Sequence, residues 1–392
     1  MTATRRVVQF GFLALTLVGV FVVRGDAERW CPFGGVEAIH RYATEGNLTC
    51  SLGVSNFYIL GAVLLMTVLL RRVFCGYVCP VGTISEWMSA GARRLGIRPL
   101  RVPAWFDRGL SLLKYPALGV ILYFTWRAGE LLFRSCDPCY ALISRHGKDI
   151  TIWAYVVSGA ILLASLLVVV PFCRWLCPLA AVLTPFSRFS PTRVTRDPGA
   201  CTDCGLCSRA CPMDIRVDRV QSVNAARCTM CLDCVSACPH QKKGALRWGW
   251  PRFTAGRWGQ PLLVGIILLC VGGAVAATYA FPLPSFVQEQ GTPPAQMATV
   301  DLRVDGVTCR GSSAGLVGWL TRDDGYGVSG YLKVETWPAS KAARVRITFD
   351  PTQATEDNVK RAMVVPYFDL LEGVGEPSPY TIEGWAPSVD DL

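Results

Sequence analysis

Five runs of apolar residues divide the chain. Val7–Val23 follows Arg5 and Arg6; no small-residue cleavage site follows Val23, so it reads as a retained span, with a cleaved signal as the minor alternative. Leu52–Leu70 is uncharged and ends at Arg71 and Arg72. Gly109–Trp126 contains Lys114, placed to snorkel to an interface, and Pro116, placed to kink the helix. Ile150–Val170 is uncharged, and Gln260–Phe281 is the last run. Each run is close to the length that crosses a bilayer as a helix. Pro282–Pro294 reads as a proline-rich connector, and beyond it the pattern changes. Ala298–Val304 alternates as a strand, Ser313–Thr321 as a short amphipathic helix, Tyr331–Thr336 and Ala343–Phe349 as strands, and Thr355–Val364 as a helix.

Composition agrees with this division. Of 392 residues, 51% are hydrophobic and 17% charged, too apolar a balance for an ordinary soluble enzyme. The net charge is +10, but the sequence from Glu289 onward holds nine basic against fifteen acidic residues. The positive charge therefore lies between the apolar runs, as membrane insertion requires, and not in a nucleic-acid-binding patch. Arg71, Arg72, Arg93, Arg94, Arg98, Arg101 and Arg108 follow the second run; Arg174, Arg188, Arg193 and Arg196 follow the fourth. That asymmetry places the N-terminus and the segment after the fourth run in the cytoplasm, and the tail outside. No apolar run contains a histidine, which argues against a haem held between spans. No phosphate-binding loop and no Ser/His/Asp arrangement occurs, so the chain reads as a component more than a self-contained enzyme.

The eighteen cysteines carry the chemistry. Two runs, CTDCGLCSRACP from Cys201 and CTMCLDCVSACP from Cys228, have the form C-x2-C-x2-C-x3-C-P. This is the spacing of a bacterial two-cluster ferredoxin, in which the fourth cysteine of each run crosses to the other [4Fe–4S] cluster. It assigns Cys201, Cys204, Cys207 and Cys238 to one cluster and Cys228, Cys231, Cys234 and Cys211 to the second. Zinc sites more often pair two separated C-x2-C units, and eight cytoplasmic cysteines stay reduced, so zinc and disulfides fit less well.

The second and fourth apolar runs end alike, in FCGYVCP from Phe74 and FCRWLCP from Phe172. On a continuous helix Cys75 and Cys79, and likewise Cys173 and Cys177, share a face. Together the four offer a further metal or redox centre at the membrane edge; the alternative is that they pack as small apolar residues. The outer loops hold Cys31 and Cys50, then Cys136 and Cys139 in RSCDPCY, suited either to structural disulfides such as Cys31–Cys50 or to a redox pair. His40 and His146 in the same loops read as surface residues, and Cys270 as span packing. In the tail, VDGVTCRGSS resembles the metal loop of heavy-metal-associated domains, with Val307 in place of Met and Ser312 in place of the second cysteine, leaving Cys309 a weak soft-metal ligand.

Paired C-x3-C-P repeats followed by a two-cluster motif resemble the NapH/NosR/CcoG-type membrane polyferredoxins over roughly Val7 to Trp250. The resulting fold class is a mainly α transmembrane protein of about five spans, with a cytoplasmic 2[4Fe–4S] insert and a C-terminal α+β, ferredoxin-like (βαββαβ) domain. The expected divisions are 1–190 for four spans and both C-x3-C-P repeats, 191–250 for the ferredoxin, 251–287 for the fifth span and 288–392 for a periplasmic domain related to heavy-metal-associated domains. The resemblance implies an inner-membrane iron–sulfur protein, reduced by a cytoplasmic donor or quinol and serving a periplasmic redox or metal-handling partner. The alternatives are an accessory factor for copper-type metal reduction or cofactor assembly, and a redox-sensing regulator.

Overall fold

The computed structural model describes residues 2–22, 30–48, 52–97, 99–100, 102–128, 131, 133, 137–143, 151–250, 253–254, 259–339, 341–369 and 374–387. They form two compact units: Met1–Glu37 with Ser55–Ala277, and Ala38–Val54 with Thr278–Leu392.

The first unit is helical around a small sheet. Helix α1 (Ala3–Leu17) is capped by the Thr2 hydroxyl and continues through a π-wound turn to Val22. Helix α2 (Pro32–Glu45) begins in this unit. Then come α3 (Ser55–Leu70), α4 (Val73–Tyr77) and α5 (Pro80–Arg94), followed by α6 (Ala104–Leu110), α7 (Lys114–Ala128) and α8 (Pro138–Ile143). The earlier pattern returns in α9 (Ile152–Leu167), α10 (Pro171–Trp175) and α11 (Pro178–Arg188). A three-stranded antiparallel sheet follows, β1 (Arg193–Arg196), β2 (Leu246–Trp250) and β3 (Phe253–Thr254), with α12 (Leu206–Ala210) and α13 (Asp233–Ser236) between its first two strands. Helix α14 (Gly259–Ala280) closes the unit.

Two of the five expected spans are helices of membrane-crossing length, Ala3–Val22 with 20 residues and Gly259–Ala280 with 22. Their outer faces are apolar: Val7, Phe10 and Leu15 on α1 and Leu268 and Leu269 on α14 are all more than half exposed. The second and fourth runs fold as shorter helices, the 16-residue α3 and α9. Arg71 stops α3 by adopting φ +60°, which turns its guanidinium onto the Thr192 and Ala225 carbonyls at 2.8 and 3.1 Å. In the second copy α9 ends at Leu167 with Val168 extended, and Val170, the N-cap of α10, sits at φ +46°, a left-handed conformation that costs a β-branched residue on the order of 1–3 kcal/mol. The third run is broken into α6 and α7, and Lys114 does not snorkel: it is 5% exposed, because α7 begins inside the protein.

In the second unit a five-stranded antiparallel sheet has the order β10-β5-β7-β6-β4, formed by β4 (Phe286–Gln290), β5 (Ala298–Asp305), β6 (Leu332–Trp337), β7 (Ala343–Phe349) and β10 (Thr381–Ile382). Helices α15 (Arg310–Leu320) and α16 (Glu356–Val364) pack on it, and β8 (Tyr367–Asp369) pairs with β9 (Val374–Glu376). The strict alternation of β5 buries Val300, Leu302 and Val304 against Leu316, Val317, Leu320, Val359 and Met363. The segment Pro282–Pro294 is not only a connector: Phe286–Gln290 pairs with β6 over five residues. Its start is held by the first loop, where Asn47 Oδ1 accepts from the Val287 N–H at 2.9 Å and the Leu48 N–H donates to the Ser285 carbonyl at 2.9 Å.

Candidate functional site

The two cysteine runs fold into matching loops. Asp203 and Met230 precede the second cysteine of each run at φ +52° and +49°; Gly205 and Leu232 follow it at +69° and +61°. Left-handed residues on either side of a cysteine curl the backbone so that its N–H groups face inward, a geometry suited to an anionic centre. Each loop then begins a short helix, α12 or α13, that carries the third cysteine.

The fourth cysteine of each run crosses over. Cys211 lines one cavity with Cys228, Cys231 and Cys234; Cys238 lines the other with Cys201, Cys204 and Cys207. The first of these cavities is walled by apolar residues, among them Val194, Met213, Ile215 and Val223. Burial there pushes the Cys228 thiol up to about 11 and Cys231 up to about 12, so these sulfurs are neutral unless a bound cation makes them thiolates. The second cavity is more polar, with Arg196, Asp218 and His240 on its wall and Cys204 exposed to solvent. Among the described residues no three His, Cys, Asp or Glu side chains converge closely enough to hold a single metal ion. Four-cysteine cavities of this kind suit a cuboidal cluster better than a mononuclear zinc site.

The C-x3-C-P segments also repeat in three dimensions, but not as continuous helices. Cys75 and Cys173 lie in the five-residue helices α4 and α10. Cys79 and Cys177 are instead the N-caps of α5 and α11, extended at φ/ψ −63°/118° and −60°/117°, each with proline at the first helical position. The Cys79 N–H donates to the Phe74 carbonyl (3.0 Å), and the Cys177 N–H to that of Phe172 (2.9 Å). The two copies pack reciprocally, α5 on α9 and α11 on α3. All four thiols lie in one electrostatic cluster, and two helix N-termini aim their positive dipole ends at it. Gly82 lets α5 close on α4: a Cβ there would lie 2.8 Å from the Cys75 carbonyl oxygen and 3.8 Å from Cys173 Sγ.

This centre adjoins the apolar cavity. The Arg72 N–H donates to the Cys228 carbonyl (3.3 Å), the Tyr77 hydroxyl to the Cys231 carbonyl (3.4 Å), and a Cβ on Gly76 would sit 3.2 Å from Thr229. The second copy docks beside Cys211: Arg174 pairs with Asp107 at 2.6 Å and with Asp214 at 3.5 Å, and Arg227 pairs with Asp107 and donates to the Asp214 carbonyl at 3.1 Å. Arg5 precedes the first apolar run in the sequence. It is 1% exposed, forms two bonds to the Glu86 carboxylate at 2.8 and 2.5 Å, and reaches Asp233 at 2.6 Å.

The comparisons with known proteins agree with this geometry. A family model described as a 4Fe-4S binding domain matches twice, at residues 52–98 and 150–196, and one described as a 4Fe-4S dicluster domain matches 193–239. The two matches of the first fall on the two structural repeats. The chain is 30% identical over 297 residues to the putative electron transport protein YccM of Escherichia coli, covering 71% of this chain and 81% of that one. The chain belongs to the NapH/NosR-type 4Fe-4S ferredoxin family. It is 28% identical to the ferredoxin-type protein NapH of Haemophilus influenzae, over 60% of this chain and 85% of NapH. It is 29% identical to the regulatory protein NosR of Pseudomonas aeruginosa, over 42% of this chain and 23% of NosR. No solved structure matches the chain.

The remaining cysteines of this family member divide. Cys139, expected in an outer loop, packs in an apolar cluster with Val20, Val81, Phe172 and Cys79 of the C-x3-C-P centre. Its electrostatic neighbours include Cys31, while Cys50, Cys136 and His146 lie outside the described residues. Cys309 is the exposed N-cap of α15. Ser312, where a metal loop has its second cysteine, spends its hydroxyl on the cap: it accepts from the Cys309 N–H (3.0 Å) and donates to the Cys309 carbonyl (2.9 Å). Val307, in the methionine's place, is fully buried in the core of the second unit.

Proposed function

We propose that the protein is a membrane-bound electron-transfer protein that carries reducing equivalents from the cytoplasm toward a periplasmic redox or metal-handling partner. In this reading Cys201, Cys204, Cys207 and Cys238 hold one [4Fe–4S] cluster, Cys211, Cys228, Cys231 and Cys234 a second, and Cys75, Cys79, Cys173 and Cys177 a third. When bound, such clusters supply one-electron transfer. The chain supplies the order of the three. The cavity with solvent-exposed Cys204 is the entry side. The apolar cavity is interior and is joined to the first C-x3-C-P segment by the Arg72 N–H and the Tyr77 hydroxyl. The observation that carries the reading is this docking of both C-x3-C-P copies against one ferredoxin cavity, through Cys228 and Cys231 on one side and Asp214 on the other.

The membrane topology belongs to the same proposal. Helices α1, α3, α7, α9 and α14 are its five crossings, with the ferredoxin inside and the second unit outside. Arg5 supports this, because it ties the start of α1 to the ferredoxin residue Asp233. So does the grouping of Ala38–Val54 with the tail. The strand order β10-β5-β7-β6 with two intervening helices is that of a split βαβ sandwich, extended by β4 at one edge. That domain is read as a docking module; Cys309 without a second thiol is a poor metal site.

Anaerobic iron and sulfide analysis with EPR on the full chain tests this. The wild type should hold about twelve irons, and Cys75→Ser/Cys173→Ser about eight. An iron count unchanged by the double substitution would reject the third cluster.

A further inference from the structure

Arg72 stands where α3 breaks into α4, and its side chain is 1% exposed. One guanidinium nitrogen donates to the Thr184 hydroxyl on α11, and Nε has no partner. Its backbone ties two sites together: the N–H donates to the Cys228 carbonyl (3.3 Å), and the carbonyl accepts from the Cys75 N–H (3.1 Å). Among the described residues no carboxylate is bonded to or paired with the guanidinium. The groups in its field are Cys75, Cys177, Tyr115 and Cys173, and a second cation, Lys114. Lys114 is also buried, and Asp107, the carboxylate in its field, is already bonded to Arg174, Trp175 and Arg227.

Among the described residues, the groups of opposite charge that lie in the field of these two buried cations and are not committed to another ion pair are thus the cysteine sulfurs. Burying an ion without compensation is strongly unfavourable, and four neutral thiols offset little of that. An iron–sulfur cluster held by four thiolates is an anion, and reduction adds one further negative charge. A fixed cation beside it favours the reduced form.

We propose that Arg72 is a positioning residue that holds the group at Cys75, Cys79, Cys173 and Cys177 as an anionic tetrathiolate centre and raises its reduction potential, with Lys114 as the secondary charge. This rests on the reading that those four cysteines bind an iron–sulfur cluster. The unpaired Nε–H is accounted for, because its guanidinium lies in the field of Cys75, Cys173 and Cys177, which carry negative charge when they hold a cluster. So is the helix break: ending α3 at Arg71 brings two consecutive arginines to the two sides of one junction, Arg71 beside Cys228 and Arg72 beside Cys75.

The test is a potentiometric EPR titration of the full-length protein, loaded and purified anaerobically, comparing wild type, Arg72→Lys and Arg72→Met at equal iron content. Arg72→Met should shift one signal's reduction equilibrium at least tenfold toward the oxidised form, about 59 mV for one electron. The other two signals should stay, and Arg72→Lys should remain within about threefold of wild type. Full iron with an unshifted titration in Arg72→Met overturns the proposal. Should Arg72→Met fail to fold, Lys114→Met, which leaves the α3–α4 break intact, should shift the same signal in the same direction; no shift there overturns it equally. A wild-type chain with only about eight irons would overturn the three-cluster reading and this proposal with it, an outcome distinct from an unshifted third signal.

Discussion

At Ser312 a single oxygen separates a metal loop from a helix cap. The hydroxyl bonds the N–H groups of Thr308 and Cys309, and the Tyr380 hydroxyl fixes the Ser312 carbonyl at 2.7 Å. The Cys309 sulfur then receives the Ser312 backbone N–H, which with smaller help from the Ser312 side chain and the Gly311 N–H holds its thiol below the ordinary cysteine value. A lowered thiol pKa means more thiolate at neutral pH and faster alkylation. Ser312→Ala removes the side-chain part and leaves the backbone donor. Its alkylation–pH midpoint at Cys309 should therefore move to higher pH, with a rate at neutral pH several-fold lower, as followed by iodoacetamide time courses and peptide mass spectrometry. A midpoint that stays, or falls, would show that the serine does not act on the sulfur. The departure at Ser312 was legible in the sequence, whereas the burial of Arg5 was not. Its partners Glu86 and Asp233 are 81 and 228 positions away, and nothing in a local pattern distinguishes a paired arginine from a solvated flanking one.

Among the elements, the ones set by strong local periodicity were the ones readable in advance. The strand Ala343–Phe349 falls where its alternation places it, and α16 starts one residue inside the expected Thr355–Val364 because Thr355 is its cap. The strand Phe286–Gln290 was hidden among prolines and exists because the β6 edge and Asn47 accept it. The C-x3-C-P repeats were visible as sequence, but the i, i+4 geometry was not what the chain adopts. Proline one step after the second cysteine starts a new helix, since proline suits the first helical position and breaks an interior one. The cysteine before it becomes a cap, and the two sulfurs of each copy come from two short elements. Gly82 tests how tightly that arrangement is built. In Gly82→Ala the new Cβ lies 2.8 Å from the backbone carbonyl of Cys75, an atom that cannot rotate away. The turn should open and the chain should lose about four irons, leaving the ferredoxin signals unchanged by EPR. Loss of all iron together would mean instead that the substitution unfolds the unit.

For the whole molecule, the two longest apolar helices constrain the arrangement most. α14 rises about 33 Å over its 22 residues, matching a hydrocarbon core of about 30 Å. The chain enters it directly after the ferredoxin sheet and passes into the second unit at Thr278. In the proposed topology α14 is the crossing that separates Cys309 from the ferredoxin. The excess of arginine after the second and fourth runs is the separate ground on which that sidedness is proposed. A membrane-impermeant maleimide applied to intact spheroplasts should label Cys309, which is exposed and carries a lowered thiol pKa. A thiol placed on the ferredoxin by Lys243→Cys, at an exposed position, should react only after permeabilisation. Labelling of both sites before lysis, or of neither, would place them on one side. α14 would then be a packed helix rather than a crossing, and the route from the ferredoxin to a periplasmic partner would lose its direction.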